Sequence, residues 1–402
     1  MPMPHGPGPG LEADDRNEAP GPLVTVIAGT RPEIVKLAPV VRALNGPTRA
    51  RLVLSGQHQD MVAELTDELD LHPDAQLGVM RERQTLNSLA ARLIESISAD
   101  LTAHRPDAVV VQGDTTTALC GALAAFHESI PVAHVEAGLR TDNPGNPFPE
   151  EANRRLISDL ASWHFAPTQR AADRLVAERH DPGSIEITGN TVIDSLLWIQ
   201  SNGAGVSAFR GPPGRRVLVT LHRRETQGAE MLDLTAGLAE IASALRLELV
   251  LPLHRSPSVR ESISACLADN PFACLIEPLA YRDFVATLAD AAIAVTDSGG
   301  VVEEATALGV PTLIARKVTE RSEAVDANCA QLLGTSPAVI VEGVRDLLAN
   351  LDTRTAMARR TNPFGDGRAA LRIRDRLVGD LTAPTASGSG RSHIEVLPCA
   401  ST

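Results

Sequence analysis

The sequence predicts an α/β protein of two doubly wound, Rossmann-like domains with the active site in the cleft between them. Three observations carry this expectation. Short β-branched apolar runs alternate with amphipathic helical stretches along the chain, the signature of βαβ units. The strand candidates are continuous apolar runs, such as Ala108–Gln112 (AVVVQ), as a parallel sheet covered on both faces requires. The alternation halts at the Gly/Pro-rich Arg210–Arg216 (RGPPGRR) and then restarts, so a second sheet follows the first. A chain of 402 residues is also too long for one ordinary core.

In the first half, strands are expected at Leu23–Ala28, Arg51–Ser55, Ala108–Gln112, Val132–Val135, Trp163–Pro167 and Ile185–Thr188. Helices follow at Glu33–Leu44, Leu86–Ala103 and Thr115–Glu128. The second series has strands at Val217–Thr220, Glu248–Pro252, Cys274–Glu277, Ile293–Thr296 and Thr312–Ala315, with a helix at Met231–Leu245. A last helix, roughly Arg368–Leu381, follows the turn-rich NPFGDG of 362–367 and is expected to cross back onto the first domain. The expected division is a first domain over 23–190, joined by the helix at 366–382, and a second over 191–365. Residues 1–22 and 383–402 read as disordered tails.

Composition removes several function classes. Apolar residues at 43% and charged residues at 22% describe a globular chain. A net charge of −13 with only 2% aromatics speaks against a nucleic-acid partner. It also means that any phosphate must be met by cations and N–H groups gathered in a few motifs. The five cysteines, Cys120, Cys266, Cys274, Cys329 and Cys399, form no C-x-x-C pair, so neither a disulfide nor a zinc framework is expected. The first 22 residues lack the basic and apolar regions of a signal peptide. No apolar run nears the roughly 20 residues a membrane span needs. A cytoplasmic protein without membrane contact is expected. Neither a P-loop nor a G-x-G-x-x-G fingerprint occurs, and no His/Cys/Asp spacing suggests a metal.

Open α/β sheets bind ligands beyond the carboxyl ends of their strands, and the chemistry-bearing residues cluster there. Ala28–Lys36 (AGTRPEIVK) joins the first strand to the first helix. Gly29 permits the turn, Pro32 suits a helix start, and Arg31 and Lys36 flank an N-terminus fit for an anion. A solvated, well-capped helix is the plainer reading. Next comes Gly113–Thr117 (GDTTT), where Asp114 suits an N-cap. Glu136 lies in HVEAGLR, and Glu150 in PEEANR. Adjacent parallel strand ends converge, so Asp114, Glu136 and Glu150 can meet in one cleft. Clustered carboxylates raise one another's pKa, which suits acid/base work on a weakly acidic C–H bond.

The second half repeats the pattern. Thr220–Glu225 (TLHRRE) sets His222 beside Arg223 and Arg224, a candidate diphosphate clamp. Thr296–Glu304 (TDSGGVVEE) reads as strand, glycine turn and helix start. Ser298, Gly299 and Gly300 would offer N–H groups to phosphate, and Glu304 a carboxylate to a ribose diol. A plain strand–turn–helix joint remains the alternative.

Taken together, these motifs resemble the bacterial non-hydrolysing UDP-N-acetylglucosamine 2-epimerases over about Val24 to Leu381. The matching segments include GTRPEIVKLAPV (29–40), GQH (56–58), RQTL (83–86) and QGDTTTALCGALAAFHESIPVAHVEAGLRT (112–141). PEEANR (149–154), HFAPT (164–168), ITGNTVIDSL (187–196) and HRRE (222–225) continue the series in order. TDSGG (296–300), TER (319–321) and NPFGDGRA (362–369) complete it. The resemblance implies the GT-B-like two-domain fold, a UDP-sugar substrate, a homodimer and no cofactor. It implies anti elimination of UDP to a bound 2-acetamidoglucal, followed by re-addition.

Residue by residue, the resemblance makes Asp114, Glu136 and Glu150 catalytic carboxylates and His222 the active-site histidine. Arg31 and Lys36 become the substrate-binding basic pair, and His254, Ser298, Gly299, Gly300, Glu304 and Arg321 the nucleotide-binding positions. Gln57, Arg83 and Gln84 match positions at which some relatives bind a second UDP-GlcNAc as activator. The chain departs from the usual pattern at Gln112, Leu221, Ser256, Val302 and Ser322. Two other activities share the fold: a hydrolysing epimerase that releases N-acetylmannosamine, and a glycosyltransferase.

Overall fold

Two all-parallel sheets, each set between helices, organise the chain. The computed structural model describes residues 21–56, 59–81, 84–203, 205–221, 229–253, 257–267 and 270–383. The first series runs β1 (Leu23–Ala28), α1 (Arg31–Leu44), β2 (Arg49–Leu54), α2 (Gln59–Glu68), β3 (Ala75–Gln76), α3 (Leu86–Ala103) and β4 (Ala108–Gln112). It continues through α4 (Thr116–His127), β5 (Val132–Val135), α5 (Glu150–Leu160), β6 (Trp163–Ala166), α6 (Gln169–Ala177), β7 (Ile185–Ile187) and α7 (Thr191–Ser201).

The second series runs β8 (Arg216–Thr220), α8 (Ala229–Leu245), β9 (Glu248–Pro252), α9 (Pro257–Leu267), β10 (Ala273–Ile276), α10 (Tyr281–Asp290) and β11 (Ile293–Thr296). Then come α11 (Gly299–Ala307), β12 (Thr312–Ile314), α12 (Ser322–Asp326), β13 (Ala330–Leu332), α13 (Pro337–Ala349), α14 (Leu351–Ala358) and α15 (Ala369–Thr382).

The expected strands are present to within two residues at either end. Two were not expected: β3 and β13, the edge strands of the two sheets. At two and three residues they are too short to show a pattern. The strand orders are 3-2-1-4-5-6-7 and 10-9-8-11-12-13, so each sheet reverses direction once, between β1 and β4 and between β8 and β11. Ligand crevices of open parallel sheets form at such reversals. Central strands are largely apolar because both faces are covered: all five residues of β4 are buried.

At the first reversal the loop after β1 must pass very close to α4. A Cβ on Gly29 would lie 2.3 Å from Thr117 Oγ1 and 2.7 Å from Ser55 Oγ, so only glycine fits. Helix α7 packs on α1, where Ser195 Oγ donates to the Val35 carbonyl at 2.5 Å. Helix α15 packs against α1 and α7. Asp194 of α7 accepts from the first amides of α15, Ala369 N at 3.2 Å and Ala370 N at 2.9 Å. At the far end of α15, Trp163 Nε1 of β6 donates to Asp380 at 2.7 Å.

Direct contacts join the two sheet systems. Tyr281 N donates to Glu68 at 2.8 Å, and Arg31 Nη2 to the Leu279 carbonyl at 3.0 Å. On the other side, Thr168 Oγ1 donates to Glu323 at 2.7 Å, and Arg170 pairs with Asp326 at 2.5 Å.

The loop after β5 is pinned in turn. Gly138 has a φ of 88°, and a Cβ there would stand 2.2 Å from the Ala171 carbonyl oxygen. We expect Gly138→Ala to destabilise the fold by about 3 kcal/mol or more, since it adds left-handed strain to a backbone clash. Urea unfolding measures this; a stability unchanged from wild type would show that the loop relaxes freely.

Candidate active site

Residues at the carboxyl ends of β1, β4 and β5 meet the start of α11 across a cavity of about 930 Å³. Its centre is Glu136, one residue past β5, held at a φ of 65° that few non-glycine residues adopt. Glu136 Oε1 accepts from Lys36 Nζ at 2.5 Å, Arg321 Nη2 at 2.9 Å and Asn190 Nδ2 at 2.9 Å. Its other oxygen accepts from Gln112 Nε2 at the end of β4. Burial alone would push this carboxyl up, but Lys36 and Arg321 outweigh it and hold the group at about 2. Reciprocally, Glu136 and Glu303 hold Lys36 above its ordinary value against the pull of burial.

Asp114 lies beside this group with the opposite tendency. Burial raises its pKa, and the charges of Glu136 and Glu150 add to that; Arg154, whose Nη2 stands 2.5 Å from Asp114 Oδ2, opposes them. Asp114 therefore feels both of the other carboxylates. Glu150 opens α5, and its Oε2 is buried without a hydrogen-bond partner among the described residues. The next residue, Glu151, is wholly buried and structural: it accepts from Thr141 N at 3.0 Å and Arg155 at 2.9 Å. Glu33 is likewise spent on the fold, accepting from Gly29 N at 3.1 Å and Thr30 N at 2.6 Å.

Asp114 does not cap α4, although its position suits it. Thr115 is the cap and accepts from Ala118 N at 3.0 Å. The Asp114 carboxylate is thereby left to the cleft.

Across the cavity, α11 begins at Gly299, with Ser298 at the cap position making no side-chain cap bond. Ser298, Gly299 and Gly300 line the cavity, and the first amides of a helix have no acceptor within it. The Arg321 guanidinium covers the turn: a Cβ on Gly299 would lie 3.1 Å from its Cζ. Glu304 accepts from the Tyr281 hydroxyl at 2.8 Å and is pushed up to about 7, chiefly by burial.

The UDP-N-acetylglucosamine 2-epimerase family model matches residues 43–378. The chain belongs to the UDP-N-acetylglucosamine 2-epimerase family. It is similar to the UDP-N-acetylglucosamine 2-epimerase of Escherichia coli strain K12, at 41% identity over 88% of this chain and 98% of that one. Among solved structures it resembles the UDP-GlcNAc 2-epimerase of Neisseria meningitidis bound to UDP-GlcNAc, at 36% identity and TM-score 0.81, covering 89% of this chain and 99% of that one. It also resembles the Methanocaldococcus jannaschii enzyme in complex with UDP-GlcNAc and UDP, at 30% identity and TM-score 0.75, over 88% and 99% of the two chains.

Within this epimerase fold, Arg31, Lys36, Asp114, Glu136, Glu150, Ser298, Gly299, Gly300, Glu304 and Arg321 all line the one cavity. His222 and His254 lie outside the described residues, as do Gln57 and Arg83. Gln84 is away from the cavity; its Oε1 accepts from Arg81 N at 3.1 Å and also from Arg92 Nη2. Three residues were missed as site residues: Asn190, Glu303 and Tyr281. Asn190 is legible as the cap of α7, and its Oδ1 does accept from Val192 N at 3.0 Å. Its amide nitrogen is what enters the site. Tyr281 is the chain's single tyrosine, but nothing in its neighbourhood pointed to the cleft. Among the described residues no group of three or more His, Cys, Asp or Glu forms a metal site, and no helix is long and apolar enough to cross a membrane.

Glu304 gives the epimerase a pH signature. The folded value of about 7 lies above the ordinary 4.5, so the folded state holds this proton more strongly. Stability from this group is full below about 4.5 and is lost as pH rises through about 7. Glu304→Gln is therefore expected to exceed wild type in stability above neutrality by up to about 3 kcal/mol, with the gap shrinking toward acid. Denaturation across pH checks this; a gap that does not change with pH would remove the assignment.

Proposed function

We propose that the chain interconverts UDP-N-acetylglucosamine and UDP-N-acetylmannosamine reversibly, without net hydrolysis. One observation supports this above the others. Asp114, Glu136 and Glu150 line one cavity together with Arg321 and the first turn of α11, a cation and a helix start fit to hold an anion. Proton handling on one side and leaving-group stabilisation on the other is what elimination of a nucleotide requires. At about 930 Å³ the cavity suits a nucleotide-sized ligand.

In the forward direction a carboxylate takes the C2 proton while the C1–O bond to the β-phosphate breaks. The C–H electron pair becomes the C1–C2 double bond of 2-acetamidoglucal, and UDP keeps the C–O pair. A second carboxyl then protonates C2 from the opposite face, and a UDP oxygen bonds to C1. Asp114, whose proton is held more tightly than an ordinary aspartate's, suits the returning step. Glu136 stays ionised beside Lys36 and Arg321 and becomes a stronger base once those cations turn to phosphate. His222 is taken as a further catalytic residue, with Arg31 and His254 in substrate binding and Gln57, Arg83 and Gln84 in an activator site. Retention of UDP by the cations until it re-adds is what separates this reaction from hydrolysis. The same reading takes the protein as a cytoplasmic homodimer, with domains at 23–190 plus 366–382 and at 191–365.

Proton NMR of the protein with UDP-N-acetylglucosamine in D2O tests the scheme. Product carrying deuterium at C2, with UDP and free sugar absent, is expected. Free N-acetylmannosamine released in step with UDP would turn the reading to hydrolysis, and unlabelled product would sink elimination altogether. Separately, Asp114→Asn, Glu136→Gln and Glu150→Gln should each lower turnover by roughly 10²–10⁴-fold. Steady-state kinetics on folded variants measures this; near-normal turnover in any one would remove that residue from the chemistry.

A further inference from the structure

Glu303, in the second turn of α11, is 1% exposed, and nothing above gives it a task. Its Oε1 accepts from Arg321 Nε at 2.8 Å and Asn190 Nδ2 at 2.9 Å. Its Oε2 stands 3.6 Å from Lys36 Nζ and makes no hydrogen bond among the described residues. Glu136 accepts hydrogen bonds from all three of these residues. Two carboxylates, one from each domain, thus divide one set of cations. Glu320, 3.3 Å from Arg321 Nη1, and Arg316, 2.7 Å from Glu320, extend the cluster by one charge of each sign.

Arg321 also covers Gly299 at the start of α11, where an anion would dock. A diphosphate arriving there meets two cations that are already neutralised. It must draw them away from a carboxylate or accept a repulsive neighbour. Glu136 is the better secured of the two, because Gln112 holds its second oxygen. Glu303 has no such second anchor.

We propose that Glu303 is a positioning residue and built-in counter-anion, which aligns Arg321 and Lys36 in the empty cleft and is displaced from them by the diphosphate of the substrate. It thereby limits how tightly UDP is retained, which matters when UDP must be held through elimination yet released with product. This rests on the nucleotide reading above. The displaced carboxyl, buried and facing Glu136, takes up a proton from solvent, in keeping with its raised proton affinity from burial and the Glu136 charge. The charged groups facing it are Lys36 of α1, Glu136 after β5, Arg321 and Glu320 before α12, and Glu304 beside it on α11.

Calorimetric titration with UDP tests this in the full chain, in two buffers of different ionisation enthalpy and at a pH where the phosphates of UDP are fully ionised. We expect Glu303→Gln to bind UDP about tenfold more tightly than wild type, because a like charge leaves the anion site. Both kcat and KM for the UDP-sugar should fall in this variant. Wild type should take up protons on binding, and the variant fewer. A folded Glu303→Gln that binds UDP no more tightly than wild type overturns the inference and leaves the epimerase reading standing. Wild type that binds no UDP overturns that reading, and this inference with it. Should the variant not fold, wild type decides: uptake that persists in Glu304→Gln supports the proposal, and no uptake overturns it.

Discussion

Four buried charges and one amide occupy the seam between the two sheets: Lys36, Glu136, Glu303 and Arg321 with Asn190 among them. Charges this far from water are tolerable only as a set, since removing one partner leaves another buried and uncompensated at a cost of about 3–5 kcal/mol. Each member comes from a different element, namely α1, the loop after β5, the cap of α7, α11 and the loop before α12. Each domain brings one cation and one carboxylate, and each carboxylate also meets the cation of the other domain, Glu136 with Arg321 at 2.9 Å and Glu303 with Lys36 at 3.6 Å. The closed arrangement is therefore an electrostatic condition as much as a packing one, and the backbone strain at Glu136 is offset by the four donors its carboxylate gathers.

The same cluster sets the proton chemistry of the cavity. Removal from water pushes every carboxyl there toward its neutral form. What differs is the company. Glu136 touches two cations and falls to about 2, whereas Glu304 has a hydroxyl for a partner and rises to about 7. Asp114 has one arginine against two nearby carboxylates and rises as well. Groups of one chemical type are thus driven apart in proton affinity within a single cavity, the condition under which one can give a proton while another takes it.

Much of this was legible in the residues. Parallel strands covered on both faces must be apolar along their length, so β1, β4, β5, β9 and β11 were readable to the residue. The edge strands β3 and β13 were not, since pairing by backbone alone leaves no trace in two or three side chains. At the site, convergence of strand ends foretold that Asp114, Glu136 and Glu150 would meet. The plainer alternative for Asp114, a helix cap, does not hold because its neighbour Thr115 takes that place. Adjacent glutamates posed a harder case. Glu303 and Glu304 differ by about 100° of helix phase, and both phases are buried here, one against Arg321 and the other against Tyr281. Which partner each meets depends on the docking of the other domain, and no local pattern records that.

The seam also bears on what pH can reach. Every described hydrogen bond to Glu136 comes from a cation held protonated or an uncharged amide: Lys36, Arg321, Asn190 and Gln112. An imidazole in place of Gln112 would bring a group that titrates near neutrality against the Glu136 carboxylate. An amide cannot do so. His134, on the adjoining strand, is no substitute: burial drives it down to about 3, and its Nε2 is committed to the Gly113 carbonyl at 2.8 Å. The charge state of Glu136 is therefore fixed across the neutral range by groups that do not change. The sensitivity to pH moves instead to α11, where Glu304 sits at about 7 and lines the cavity. Protonation near neutrality then acts on the α11 side of the cavity, while the carboxylate at the centre of the cleft keeps its charge.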